Sequence, residues 1–207
     1  MSTTTIDPVE RLLNNADQGH MIIKNPNVLR HDYIPKRILH RDKQQELVTQ
    51  SLIPLYRKSI PPNLLVYGKP GTGKTLVIKK VLNQIQNRVD KNSYRIKIVI
   101  TNAKEQSNLY NVLVDLGRQL GLKPKKTPDD KLWLPNTGLS ISEVFNRILY
   151  IIEKNKINSV FVIDEIDHLA KLVDKTGKDI LYSITRANLK LKNGSLSLIG
   201  ISNDVRF

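Results

Sequence analysis

The residues best suited to chemistry form a glycine-rich stretch at positions 68–75. The stretch matches the pattern G-x-x-x-x-G-K-[ST], in which backbone N–H groups wrap a phosphate. Glycine suits such a loop because it adopts dihedral angles that a side chain resists. We expect Lys74 to reach the β- and γ-phosphates of a nucleotide and the Thr75 hydroxyl to ligate Mg²⁺. The predicted nucleotide-binding residues are Gly68, Lys69, Pro70, Gly71, Thr72, Gly73, Lys74 and Thr75.

Two adjacent carboxylates, Asp164 and Glu165, directly follow the apolar run 160–163. A buried strand that ends in acids indicates a cationic partner, because unpaired buried charge is costly. We expect Asp164 to hold Mg²⁺ through water. The alternation of side chains along a strand predicts Glu165 on the other side, where it could act as the base that polarises an attacking water. Asp167 is predicted to be structural, and His168 to pack at the surface.

A polar residue, Asn203, follows the last predicted strand. An asparagine in that position is usually a turn former. In ATPases that combine a phosphate loop with paired acids, however, a polar residue on the strand beside the acid-bearing strand contacts the γ-phosphate or the attacking water. We therefore predict four catalytic residues, which are Lys74, Asp164, Glu165 and Asn203.

The elements that position these residues alternate between strands and helices. Near-continuous apolar strands predict an α/β fold, a three-layer sandwich around a mostly parallel sheet. The predicted strands are 63–67, 94–100, 160–163 and 196–202. The predicted helices are 42–58, 75–89, 108–120, 141–152 and 178–190. The predicted buried sides of the first three are Leu47, Leu52, Leu55 and Tyr56; Val77, Ile78, Val81, Leu82, Ile85 and Val89; and Leu109, Val112, Leu113, Leu116 and Leu120. Residues 121–139, with three prolines and two glycines, are predicted to be a long loop or insertion.

The composition limits the classes of protein that remain. The 207 residues include no cysteine, which excludes disulfides and thiolate zinc sites. No apolar run approaches the roughly 20 residues of a membrane span, and the stretch MSTTTIDPVE lacks the basic and apolar regions expected of a signal peptide. The net charge is +14, and residues 47–104 carry 11 basic side chains against one acidic. That segment is either a solvated lysine-rich face or a partner for an anion such as a nucleotide or nucleic acid.

Further stretches of the sequence lie before, between and beside the phosphate loop, the two acids and Asn203. They are Lys24–Pro35, His40-Arg41, Thr101–Ala103, Arg186–Asn188 and Gly200–Asp204. Together with the motifs they resemble the archaeal origin-recognition and cell-division-control replication initiators, a family of AAA+ ATPases. The similarity runs from about residue 24 to the end of the chain.

The resemblance implies the ATP-binding, slowly hydrolysing module of an initiator that binds origins and helps to load the replicative helicase. The cofactors would be ATP or ADP with Mg²⁺, and the location would be cytoplasmic and nucleoid-associated, with no membrane partner. Tyr33, Ile34 and Pro35 would line the adenine pocket, with His40-Arg41 nearby. The module could also assemble with itself through its ATPase face.

The same resemblance implies that the helix after Thr101–Ala103 contacts duplex DNA. We expect that binding to be weak and strongly salt-dependent, because lysine contacts to phosphates give affinity without sequence information. The basic residues near that helix in the sequence are Arg88, Lys91, Arg95, Lys97 and Lys104. A solvated surface is an equally good interpretation of them.

The family pattern divides the chain into a flexible N-terminal segment, 1–23, and an AAA+ core, 24–207, that ends after the strand leading to Asn203. The helical lid and the winged helix of the family are expected to be absent from this chain. Arg186 and Arg206 are not predicted to be arginine fingers. Two alternatives stay open: a nucleotide-binding core without turnover of its own, and a phosphate-loop ATPase of transposition or signalling type.

Overall fold

The computed structural model describes residues 7–17, 19, 25–30, 33–57, 59–89, 95–106, 108–126, 129–172 and 181–204. The chain forms two compact units, residues 1–37 and residues 38–207. The described elements of the first unit are the helix α1 (Pro8–Asp17), which has no buried residue, and a 3₁₀ turn at Pro26–Leu29. The predicted division of the chain after residue 23 stays a prediction.

The second unit is built on four parallel strands. They are β1 (Leu64–Tyr67), β2 (Ile96–Asn102), β3 (Asn158–Asp164) and β4 (Ser195–Ser202), in the spatial order β1-β4-β3-β2. The helices are α2 (Asp42–Tyr56), α3 (Lys74–Val89), α4 (Ala103–Gln106), α5 (Leu109–Leu120), α6 (Ile141–Asn155) and α7 (Ile166–Leu172). Residues 181–185 are helical, and 3₁₀ turns occupy Asp130–Leu132 and Ala187–Leu189. The predicted α/β fold around a parallel sheet is confirmed.

Both faces of the sheet are covered by helices. Along β3, Val160 and Val162 pack with α2 and α3 on one face. Phe161 and Ile163 pack with α5 and α6 on the other. All four side chains are fully buried. Alternate residues of one strand therefore enter different cores, which explains why the strand is a continuous apolar run.

The helix termini follow local capping rules. The Ser140 side chain accepts a hydrogen bond from the Glu143 N–H at 3.1 Å at the start of α6. At the start of α5 the Asn108 side chain accepts from the Asn111 N–H at 2.9 Å. Such caps satisfy donors that the first helical turn leaves unpaired. None of the described helices is long and apolar enough to cross a bilayer.

The buried face of α2 differs from the prediction. Its buried residues are Val48, Leu52 and Leu55, whereas Leu47 and Tyr56 are 56% and 54% exposed. The predicted burial of the latter two is therefore wrong, since the buried set follows an i, i+4, i+7 spacing that excludes them. The helix continues through Pro54 to residue 56.

The segment 121–139 packs against the α5–α6 layer. Lys123 and Trp133 pair as an isolated bridge, and Leu122 and Leu134 are almost completely buried. The predicted helix 178–190 lies partly outside the described residues. In the described part the helix ends at residue 185, five residues before the predicted end, and a 3₁₀ turn follows at Ala187–Leu189.

A substitution at Gly194, just before β4, is expected to destabilise the fold strongly. Gly194 has a φ of +84°, and an added Cβ would lie 2.4 Å from the Ile157 carbonyl oxygen. We expect Gly194→Ala to lower the free energy of unfolding by about 2–4 kcal/mol, as a left-handed alanine that also overlaps the backbone. Gly138→Ala is the matched control, because Gly138 also has a positive φ (+96°) but open space around it. Urea denaturation measures both variants, and equal losses would contradict the predicted overlap.

Candidate nucleotide-binding site

The phosphate loop connects the end of β1 to the start of α3, at the carboxyl end of the parallel sheet. Gly71 and Gly73 have φ angles of +74° and +82°, in a region that side chains resist. The Thr72 hydroxyl donates to the Lys69 carbonyl at 2.9 Å. The 16-residue helix α3 directs its N-terminal N–H groups and the positive end of its dipole to the loop. The loop therefore has the conformation and the position that an anion requires.

The Lys74 ammonium group lies across this loop. Its Nζ donates to the Gly68 carbonyl, the Lys69 carbonyl and the Asn203 Oδ1, each at 2.9 Å. Since β4 lies next to β1, the residue that follows β4 reaches the loop that follows β1. Lys74 is thus held at the loop by acceptors from two elements.

The Thr75 hydroxyl donates to the Asp164 Oδ2 at 2.7 Å. The other oxygen of Asp164 accepts from the Glu165 N–H at 2.9 Å. Hydroxyl and carboxylate oxygens are the hard ligands that Mg²⁺ takes, with waters completing its octahedron. The residues present therefore fit the predicted metal, and their role as its ligands stays a prediction.

Glu165 occupies a turn, because β3 ends at Asp164. Its φ is +52°, an uncommon value for a residue other than glycine and one that clusters at functional sites. The alternation along the strand, from which its direction was predicted, does not extend to this residue. Its Oε1 accepts from the Asn203 Nδ2 at 3.3 Å. Asn203 thus contacts both the Lys74 ammonium and the Glu165 carboxylate.

Asp167 holds the backbone of Asn203. Its Oδ1 accepts from the Asn203 N–H at 3.1 Å, and the residue is only 9% exposed. The prediction that Asp167 is structural agrees with this contact. The sequence analysis did not predict that Asp167 contacts one of the four predicted catalytic residues. Asp167 lies three positions after Asp164 in the sequence, and that proximity was the only available signal.

A cavity of about 260 Å³ lies beside the loop. Its apolar walls include Val48 of α2, Val66 of β1 and Val77 of α3. Arg41 also lines it and donates from Nε to the Thr72 carbonyl at 3.1 Å. Apolar walls with a few polar groups are typical of sites for small molecules. Val77 was predicted only as part of the buried side of α3, and Val48 was not predicted to have any role, so neither was expected to line a cavity.

The residues predicted for the adenine pocket belong to the first unit. Tyr33 is 38% exposed, and Ile34 and Pro35 are half-buried. Their contact with adenine stays a prediction.

Residues 59–206 match the protein family described as "AAA domain". The matched range contains the phosphate loop, both acids and Asn203. The chain belongs to the AAA domain family.

Two relatives of this AAA domain are replication proteins. It is 54% identical, over 204 residues, to an ORC1-type DNA replication protein of Cenarchaeum symbiosum, covering 99% of this chain and 48% of that protein. An ORC1-type DNA replication protein of Pyrococcus furiosus is 34% identical over 199 residues, with coverage of 96% and 45%. The predicted resemblance to archaeal initiators is confirmed. The chain spans about half the length of these relatives.

Two solved structures have folds similar to that of this AAA domain. The Aeropyrum pernix ORC1 protein in complex with DNA superposes with a TM-score of 0.76 at 33% identity, over 87% of this chain and 43% of that one. The Aeropyrum pernix ORC2 protein, solved as ADPNP–ADP complexes, superposes with a TM-score of 0.70 at 20% identity, over 88% and 46%. The second likeness concerns the fold alone.

The basic residues predicted near DNA are not brought together in this AAA domain. Arg88, Arg95 and Lys97 are exposed where α3 ends and β2 begins. Lys104 is exposed in α4, after the carboxyl end of β2. The seven residues of β2 separate the two groups by about 20 Å. Lys91 lies outside the described residues.

Removing the Asp167 carboxylate is expected to destabilise the AAA domain. In Asp167→Ala the Asn203 N–H loses its acceptor, which costs about 1–3 kcal/mol in the free energy of unfolding. Asp167→Asn should lose less, because an amide oxygen still accepts. Urea denaturation without nucleotide measures both variants. If they lose the same stability, the charge of Asp167 matters rather than its acceptor.

Proposed function

We propose that this AAA domain is the ATP-binding, slowly hydrolysing module of an archaeal DNA replication initiator. The observation that carries the proposal is the hydrogen-bonded chain from Lys74 through Asn203 to Glu165, beside the Thr75–Asp164 pair. These side chains come from the phosphate loop, from the carboxyl end of β3 with the turn after it, and from the residue that follows β4. They meet where we propose that the phosphates of a nucleotide lie. The ORC1-type relatives supply the biological context.

In this proposal the loop and the start of α3 bind the phosphates, and Lys74 turns from its carbonyl acceptors to the β- and γ-phosphate oxygens. Glu165 accepts the proton of the attacking water as a general base. Asn203 orients the water or the γ-phosphate through its amide. Thr75, and Asp164 through water, would hold Mg²⁺, which neutralises charge on the phosphates when bound.

The cavity beside the loop is the proposed site for the adenosine part of the nucleotide. Val48, Val66 and Val77 would contact the base and ribose, and Arg41 would fix the loop through the Thr72 carbonyl. Contact of Tyr33, Ile34 and Pro35 with adenine is a separate part of the proposal, taken from the resemblance to the initiators.

For the whole protein we propose origin binding and a contribution to loading the replicative helicase, with a nucleoid-associated location in the cytoplasm. Duplex DNA is the proposed nucleic-acid partner, since a relative was crystallised with DNA. ATP-bound and ADP-bound forms would differ in partner affinity, so slow hydrolysis would act as a timing switch. Self-assembly through the ATPase face is part of the same proposal.

The test of the enzymatic part is ATP turnover per chain measured over a range of protein concentrations. Turnover that rises with concentration supports an assembling ATPase. Tight nucleotide binding without turnover at any concentration would favour a nucleotide-binding core instead. Absence of nucleotide binding would overturn the proposal altogether.

A further inference from the structure

A second cavity, of about 480 Å³, lies on the outer face of α6. It is bordered by the 3₁₀ turn at residues 130–132 and by residues 190–192, which lead into β4. Residues 190–192 precede the amino end of β4, whereas the phosphate loop follows the carboxyl end of β1. Because β1 and β4 are parallel, residues 190–192 and the phosphate loop lie at opposite ends of the sheet.

Three lysines stand around this cavity, and they have exposed side chains. Within the described part of the chain, Lys131, Lys190 and Lys192 form no ion pair within 4.0 Å. The Lys131 Nζ lies 5.1 Å from the centre of the Tyr150 ring, in a cation–π contact at an exposed position. We call Lys131, Lys190 and Lys192 the cavity lysines.

The two carboxylates of the cavity are occupied by internal hydrogen bonds. The Glu143 Oε1 accepts from the Arg147 Nε at 2.9 Å. Glu153 accepts from the backbone N–H groups of Lys192 and Asn193 and from the Asn193 side chain, at 2.9–3.1 Å. The Asn193 hydrogen bonds hold the pKa of the Glu153 carboxyl below its usual range. Both acids are thus engaged by hydrogen bonds within the fold.

A third carboxylate nearby is engaged in the same way. Asp129 accepts from the Tyr150 hydroxyl at 2.9 Å and from the Lys154 Nζ at 2.5 Å. These bonds, that from Lys154 above all, hold the pKa of the Asp129 carboxyl below its usual range. Asp129 is thereby paired with Lys154, and the residues that line the cavity include four basic side chains against two acidic ones, which gives this surface a net positive charge.

We propose that the cavity lysines bind the phosphate backbone of duplex DNA and form a surface that is separate from the nucleotide site. Lysine ammonium groups that neutralise phosphates release the counterions condensed on duplex DNA, and this supplies affinity without sequence information. The chain carries 33 basic against 19 acidic residues, and this face concentrates part of that excess. The proposal rests on the proposed function, from which the DNA partner comes.

The experiment is a titration of a fluorescent mixed-sequence duplex with the chain, followed by anisotropy between about 50 and 200 mM salt. The test variant is Lys131→Gln/Lys190→Gln/Lys192→Gln. The matched control is Lys43→Gln/Arg57→Gln/Lys79→Gln, which removes the same charge from positions in α2, directly after α2, and in α3. Nucleotide affinity and thermal unfolding of each variant are measured in parallel, because neither triple touches the proposed catalytic residues.

We expect the test variant to bind at least about tenfold more weakly than the parent. The slope of log affinity against log salt should fall by about 2–3, since each lost phosphate contact removes about 0.9. The control should retain affinity within about threefold and nearly the parent slope. Equal losses in both variants, or none in the test variant, would overturn the proposed surface while leaving nucleotide binding intact. A parent chain that binds nucleotide but no DNA would overturn the surface and the DNA partner together.

Discussion

Lys74→Ala is expected to abolish nucleotide binding at concentrations where the parent chain is saturated. The Lys74 ammonium is held over the phosphate loop by three acceptors at 2.9 Å, which places it where the β- and γ-phosphates of a nucleotide would lie. A hydrogen bond to a charged group contributes about 1.5–3 kcal/mol. Loss of contacts to two phosphates therefore predicts an affinity at least about 100-fold weaker.

The measurement is isothermal titration with ATP and with ADP. Lys79→Ala is the matched control, because Lys79 also lies in α3 but away from the loop. Urea denaturation checks that both variants remain folded. If Lys74→Ala binds ATP within a few-fold of the parent, the assignment of residues 68–75 as the phosphate site is wrong.

Glu165→Gln is expected to retain ATP and to stop its hydrolysis. The replacement keeps the length of the side chain and an oxygen that can accept from the Asn203 amide, a contact of 3.3 Å in the parent. It removes the basic carboxylate, and a general base contributes about 10²–10⁴-fold to a rate. The nucleotide affinity should therefore stay within a few-fold while the single-turnover rate falls by at least about 100-fold.

The control for this variant is Glu105→Gln, which changes an exposed glutamate in α4. Rates are measured with excess protein over radiolabelled ATP, so that slow product release does not hide the chemical step. A Glu165→Gln variant that hydrolyses ATP at the parent rate would show that another group activates the water. A variant that loses ATP binding would instead assign Glu165 to the binding of the phosphates.

The two predictions separate binding from chemistry within one small site. Lys74 and Glu165 both contact Asn203, so a shift of Asn203 would affect each of them. The contact from Asp167 to the Asn203 backbone opposes such a shift. We expect substitutions at Asp167 to act through the position of Asn203 rather than through contact with nucleotide.

Patterns within short stretches of sequence were sufficient to predict most helices and strands. The apolar residues of α3 and α5 repeat at helical spacing, and the structure buries them as predicted. Continuous apolar runs predicted the strands of a parallel sheet, because both faces of such a sheet are covered. The errors occurred where tertiary packing chose between similar faces, as for Leu47 and Tyr56 of α2.

The phosphate loop was determined by the sequence alone, because its eight residues are contiguous and the required backbone conformation is encoded by its glycines. The meeting of Lys74 with Asn203 was decided by the tertiary structure. These residues are 129 positions apart, and only the strand order β1-β4-β3-β2 places the residue after β4 between the loop and Glu165. The contact of Asp167 with the Asn203 backbone follows from the same strand order, whereas the separation of the basic residues follows from the length of β2. Strand order depends on packing between distant segments, which no local pattern of residues records.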